Sequence, residues 1–348
     1  MNTQYFLGAN SSRGFHSLYD GFASGERDFL HVIKGGPGTG KSGFMRAIGR
    51  AAEDRGYDVE YVLCSGDPES LDGVYIPARH EAWVDGTAPH VIDPKFFAAG
   101  GDYVNIGQFC KLPMTTAEAE HIRELNRKYK ARYAQAYELL SASECVHRAY
   151  SQNYIGEEKL LKAKRRADGI LSRLKVGRAG SKTSEKTRFY SAISCTGCMF
   201  LKDEIRKLCP VIYELDDRLG AADEVLQHIK SEALRRGGSI IYAPSPLAPE
   251  RADAVLLPGA GAAFIRGDHK IEGAKHIRLD AMADPDSIKN IRGIIREKER
   301  TETQLMNGAV NALRSAKELH DELESLYKPH MDFAALNKYI RTECKKIV

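Results

Sequence analysis

The sequence predicts an α/β fold built twice in tandem, and three observations predict it. Apolar, β-branched runs alternate with helix-period segments in the order that stacked strands and crossover helices require. A glycine-rich loop sits between one such run and one such helix. The second half of the chain repeats the first at a nearly constant shift.

Length and composition agree with that frame. A chain of 348 residues suggests about two domains, and 43% hydrophobic with 28% charged residues is ordinary globular usage. A formal charge of +4 is too small to argue for nucleic acid or an acidic membrane. The start "MNTQYFLGANSS" lacks the basic and apolar regions of a signal peptide. The stretch "AVLLPGAGAAFI" (254–265) is too short to span a bilayer and contains Pro258. Seven cysteines spread along the chain do not form a secreted disulfide pattern, so the cytoplasm is the expected compartment.

Residues 28–48, "DFLHVIKGGPGTGKSGFMRAI", carry the strongest motif. An apolar strand enters Gly35, Gly36, Pro37, Gly38, Thr39, Gly40, Lys41 and Ser42, and an amphipathic helix leaves them, as in a P-loop. The glycines permit the backbone angles that turn successive N–H groups inward on a phosphate. The helix adds its partial positive end. Lys41 supplies a point charge for the β- and γ-phosphates, and Ser42 a hydroxyl for Mg²⁺. The expected ligands are therefore ATP and Mg²⁺.

The repeat is ungapped over residues 52–77 and 233–258, a shift of 181 with nine identities in 26 positions. Random overlay gives about one or two. Among them are Tyr61/Tyr242, Asp72/Asp253, Val74/Val255 and Pro77/Pro258. With small gaps "FLGANSSRGFHSLYD" (6–20) meets "FYSAISCTGCMFLKD" (189–203), and "LSASECVH" (140–147) meets "LRSAKELH" (313–320). Tyr154 then meets Tyr327.

This settles how to read "VIYELDDRLGAADEVLQHI" (211–229), whose two aspartates invite assignment as a magnesium-holding strand end. It lies where the second copy of the glycine loop belongs. Either of two registers one residue apart puts an alanine, Ala221 or Ala222, opposite Lys41. Asp216 and Asp217 then fall on or beside the loop. A like charge near 4 Å costs roughly 4 kcal/mol at an effective dielectric of 20, about three decades in affinity. The second copy is expected to be dead for triphosphates. The magnesium-holding alternative explains fewer residues.

The expected organisation is a first domain over 1–175, a basic flexible linker over 176–187, and a second, degenerate domain over 188–348. Strands are expected at "LHVI", "VEYVL" (59–63), "DGVYIP" and "AWVDG", with a helix over 42–55. They are expected to form a parallel sheet with right-handed crossovers. Residues 115–174 turn helical, with Ile122, Leu125, Tyr129, Tyr133, Ala136 and Leu140 in phase and a break at "NYIG" (153–156); 286–345 mirrors them.

Each secondary site also has a plainer reading. Asp85, ending "AWVD", suits the water shell of Mg²⁺ and a place in catalysis beside Lys41, or is simply the aspartate of an Asp-Gly turn. No glutamate follows it to activate water. Asp67 could meet nucleotide or a second substrate beyond a strand end, or serve an Asp-Pro turn. His90 reads as structural before it reads as a phosphate contact. "CTGC" (195–198) lies between strand-like and helix-like segments, a thioredoxin-like placement, yet overlays "SRGF" of the first copy. Tyr129, Tyr133 and Tyr137 among basic residues could stack on single-stranded nucleic acid, but the spacing is that of a packing helix face. "KAKRRA" (162–167) reads as a solvated face.

Taken together, "FLGANSSRGFHSLYD", "HVIKGGPGTGKS", "GYDVEYVLCSGDPESLDGVYIP", "VDGTAPHVIDP" and "SAKELHDEL" resemble the bacterial tandem P-loop ATPases. The resemblance covers nearly the whole chain. It implies two fused P-loop NTPase-like three-layer domains, each with a helical extension, that bind ATP. Gly35 to Ser42 carry over as the phosphate loop and Asp85 as a metal partner. The chain departs from that family in its second copy, where a P-loop is usual. The resemblance supplies no substrate or partner. An ATPase or ATP-dependent switch with one live site is the favoured function. The alternatives are a small-molecule or nucleotide kinase, with Asp67 and the "DGTAPH" loop placing an acceptor, and an interaction module that binds nucleotide without turnover.

Overall fold

The computed structural model describes residues 1–89, 91–150, 155–177, 183–216, 218–269, 271–283 and 285–347. The first half runs from β1 (Thr3–Phe6) through the hairpin β2 (Gly8–Ser11) and β3 (Gly14–Ser17) to β4 (Phe29–Lys34) and helix α1 (Lys41–Glu53). Strands β5 (Glu60–Leu63), β6 (Leu71–Ile76), β7 (Glu81–Asp85) and β8 (Gly101–Asn105) follow, then α2 (Thr116–Tyr150) and α3 (Glu157–Arg173). The second half begins with β9 (Glu185–Thr187), the hairpin β10 (Ser191–Ser194) and β11 (Gly197–Phe200), and α4 (Lys202–Leu208). It continues with β12 (Val211–Leu215), α5 (Ala222–Arg235), β13 (Ile240–Pro244), β14 (Ala252–Leu257), β15 (Ala262–Arg266), β16 (Lys275–Ile277), α6 (Pro285–Tyr327) and α7 (Phe333–Lys346).

Two six-stranded sheets result, in the orders β1-β5-β6-β7-β4-β8 and β9-β13-β14-β15-β12-β16. The orders are the same, and so is the register. Tyr61 faces Val74 as Tyr242 faces Val255, and each ladder shifts once, at Val62/Leu63 and at Ala243/Pro244. Such a bulge adds a residue to one strand and re-aims its side chain. The duplication read from the sequence is thus a duplication of backbone pairing.

The sheets are mixed, which corrects the expectation of parallel ones. β6 and β14 run antiparallel to both neighbours. The cause is local: only residues 77–80 separate β6 from β7, room for a hairpin and not for a crossover. Two further corrections concern short elements. The end of the expected linker is strand β9, paired with β13, while residues 178–182 lie outside the described ones. "CTGC" is the turn and edge of the β10–β11 hairpin, with Cys195 and Cys198 both free thiols and the next helix starting only at Lys202.

Amphipathic helices cover the outer faces, but each half is covered by the other's helix. Phe44, Met45 and Ile48 of α1 share a core with Leu336 of α7, from the far end of the chain. Val225, Leu226 and Ile229 of α5 share theirs with Ile170 and Leu171 of α3. Full burial of each such side chain is worth about 1.5–3 kcal/mol, so the exchange is a principal stabiliser. Another cluster draws on the opposite faces of both sheets, Val32 and Val84 from the first and Ile212 and Ile265 from the second.

The long helices α2 and α6 pack antiparallel around Ala136, Leu140, Ala309 and Leu313. His121–Glu322 at 3.3 Å and His147–Glu302 at 3.1 Å join them near opposite ends. The tyrosine stripe serves this packing: Tyr129 and Tyr133 touch ring to ring, and the Tyr137 hydroxyl donates to buried Asn10. Lys162, Arg165 and Arg166 are exposed. At the junction of the sheets, Phe6 and Phe189 exchange backbone hydrogen bonds of 2.9 and 3.0 Å, the mark of a local two-fold axis between the copies. Among the described residues no helix is long and apolar enough to cross a membrane.

Candidate functional site

Strand β4 lies inside the first sheet, parallel to β7 on one side and β8 on the other. Its carboxyl end delivers the glycine loop to the first turn of α1. Gly38 (φ +67°) and Gly40 (φ +95°) sit in the left-handed region that other L residues rarely adopt, so the chain reverses there without strain. The Thr39 hydroxyl donates to the Gly36 carbonyl at 2.8 Å and closes the turn. Lys41, the first residue of α1, folds back over the loop and donates to the carbonyls of Gly35 and Gly36 at 3.1 and 2.9 Å. Ser42 accepts the Leu71 N–H at 2.9 Å, which ties the helix start to the bulge before β6.

Asp85 ends β7 beside this loop. Its Oδ2 lies 3.6 Å from the Lys41 ammonium, and its Oδ1 accepts from both the N–H and the hydroxyl of Thr87. Burial pushes the Asp85 carboxyl above its usual range, with Lys41 and Thr87 pulling the other way and Asp72 adding to the rise. A second carboxylate thus belongs to the site. Asp72 is buried, accepts from the Tyr19 hydroxyl at 3.1 Å, and stands at the bulge across from Asp85. Asp72 is the extra residue of that bulge, between Leu71 and Gly73, while strand alternation puts Asp85 on the α1 face with Trp83.

The loop's outer rim rests on the second half. A Cβ on Gly36 would lie 3.3 Å from the Tyr327 ring, one on Gly38 3.0 Å from Glu324, and one on Gly40 3.0 Å from Leu336. Lys317 reaches Asp67 at 3.6 Å while paired with Asp321 at 2.5 Å. Burial, together with the charges of Lys317 and Lys41, lowers the proton affinity of His320 against the pull of Glu324 and Asp321.

The second copy holds a rearranged set. β12 occupies the place of β4 in its own sheet, between β15 and β16, so residues 211–215 are the counterpart strand and not an acidic strand end of the first sheet. Helix α5 starts at Ala222 as α1 starts at Lys41. The shared register puts Arg266 where Asp85 stands and Asp253 where Asp72 stands. Arg266 Nε lies 3.8 Å from Asp253 Oδ1, and the Ser191 hydroxyl donates to Asp253 at 2.6 Å. A carboxylate and a cation remain as neighbours, but the cation now comes from the sheet.

The structure therefore brings Gly35, Gly36, Pro37, Gly38, Thr39, Gly40, Lys41, Ser42 and Asp85 together and sets Asp67 against Lys317; His90 and Asp217 lie outside the described residues. Asp72 was not singled out from the sequence, although its identity with Asp253 in the repeat was a signal. The α6–α7 residues left no local signal, because most of the chain's length separates them from the loop. Comparison of the chain with protein families, with curated proteins and with solved structures gave no match.

Proposed function

We propose that the first half binds Mg-ATP on the loop Gly35–Ser42, and that the chain is an ATPase or ATP-dependent switch with this as its single live site. What carries the reading is the Lys41 ammonium, held by two loop carbonyls and facing Asp85, where the second copy has Ala222 and Arg266. A phosphate chain entering the loop would meet the positive end of α1 and Lys41, whose ammonium would exchange its loop carbonyls for phosphate oxygens.

The donor set suits Mg²⁺, which prefers hard oxygen ligands and keeps several waters. The Ser42 hydroxyl has a lone pair beyond the one that accepts from Leu71, and Asp85 offers carboxylate oxygen to a metal-bound water. Held by Ser42 and Asp85, the ion would supply positive charge to offset that of the phosphates. Asp72, on the neighbouring strand, supplies the second carboxylate that no residue after Asp85 provides.

Calorimetric titration with Mg-ATP tests the reading: one site per chain is expected, and two sites or none would overturn it. Phosphate release from ATP alone marks the hydrolase. Label transfer that requires an added acceptor would mark a kinase instead.

A further inference from the structure

We infer that the nucleobase of the bound nucleotide stacks on Phe333, a side chain of the second half. The inference rests on the loop's being a nucleotide site and names the part of that site the loop itself cannot form. A phosphate loop cradles the α- and β-phosphates with backbone N–H groups and reaches the β- and γ-phosphates with its lysine. The nucleoside must then leave at the opposite end, past the first turn of α1. There the position of Gly43 is open: among the described residues, a Cβ built on it meets nothing within 4 Å beyond its chain neighbours and its own helix backbone. Next to that opening, the Phe333 ring approaches the Cβ position of Gly40 to 4.0 Å.

Phe333 is 38% exposed, one of few large apolar side chains left so. The other aromatics of this corner are packed together: Tyr339 stacks on Phe44 and leans on Phe109. The backbone that carries Phe333 is anchored. It is the first residue of α7, whose cap Asp332 accepts the Ala335 N–H at 2.9 Å and donates its own N–H to Phe109. Leu336, one turn on, is buried against Gly40. A partly exposed ring on an anchored backbone beside such a loop is a stacking platform for any base, since every base offers a π-face. The second copy lacks the platform along with the lysine: the alignment of Tyr154 with Tyr327 brings Phe333 to Leu160, which is buried.

The test separates base from phosphate. Affinities for Mg-ATP and for inorganic tripolyphosphate are measured by calorimetry on the full chain, for wild type, Phe333→Ala, Phe333→Trp and Lys41→Ala. Loss of a stacked base should weaken ATP binding by Phe333→Ala about tenfold to a hundredfold and leave tripolyphosphate binding unchanged. Phe333→Trp, which keeps a π-face, should retain ATP, and Lys41→Ala should weaken both ligands. Equal weakening of both by Phe333→Ala would make the ring a prop for the loop and overturn the inference, as would no effect on either. A wild-type chain that binds neither ligand would overturn the nucleotide reading itself.

Discussion

Asp85 and Arg266 put opposite charges at one place in two sheets of the same design, and the lysine each would face has been kept or lost accordingly. Lys41→Ala should therefore weaken Mg-ATP binding by at least about a hundredfold, the worth of a charged hydrogen bond of roughly 3 kcal/mol. Ala222→Lys should not create a second site, because Arg266 is already paired there; calorimetry should still count one nucleotide per chain. Glu214 makes a separate prediction. It is 1% exposed at the position where the first copy has Val32, and among the described residues neither carboxylate oxygen accepts a hydrogen bond, His276 Nδ1 standing 3.7 Å from one of them. Since an unsatisfied buried polar group costs about 1–3 kcal/mol, Glu214→Val should raise the urea midpoint of unfolding. At this scale the glycines, Lys41 and Ser42 were legible because their chemistry is local. Asp72 and Arg266 were not, because their meaning lies in which strand faces which.

Helices were easier to read than strands. α2 and α6 announce themselves by period, and in the structure α2 opens on a capping box, where the Glu118 carboxylate accepts the Thr115 N–H at 2.8 Å and Glu118 N–H returns to the Thr115 hydroxyl. His330, just before α7, adds a 2.9 Å contact to the same carboxylate. Thr115 and His330 pull the Glu118 carboxyl from 4.5 down to about 2. A group whose proton affinity falls on folding stabilises above its ordinary range and ceases to do so as pH drops toward the folded value. Glu118→Gln should thus be less stable than wild type at neutral pH, and chemical denaturation should show the gap narrowing below about pH 4. β8 and β9 went unread because an edge strand such as "EKT" is held by backbone pairing and leaves no apolar alternation.

For the whole molecule, order in sequence and order in space part company. In sequence the first copy ends with α3 and the second begins with β9, but in packing α3 and α7 each cover the other copy. A fragment ending at 175 would leave the apolar face of α1 bare of α7 and the apolar face of α3 without α5. It should be insoluble or lack a cooperative transition by circular dichroism, whereas the intact chain should unfold in one calorimetric step. No local pattern could have revealed the exchange, since a helix's apolar stripe states that it is covered and not by what.

The reciprocal bonds between Phe6 and Phe189 carry this further. Crossed helices around a two-fold axis describe what a pair of separate half-length chains would build by trading their C-terminal segments. Two identical chains must have equal loops, both able to grip a triphosphate or neither. Joining them end to end removes that constraint: one half can keep Lys41 and Asp85 while the other takes Ala222 and Arg266, in a fixed ratio that no change in expression can disturb.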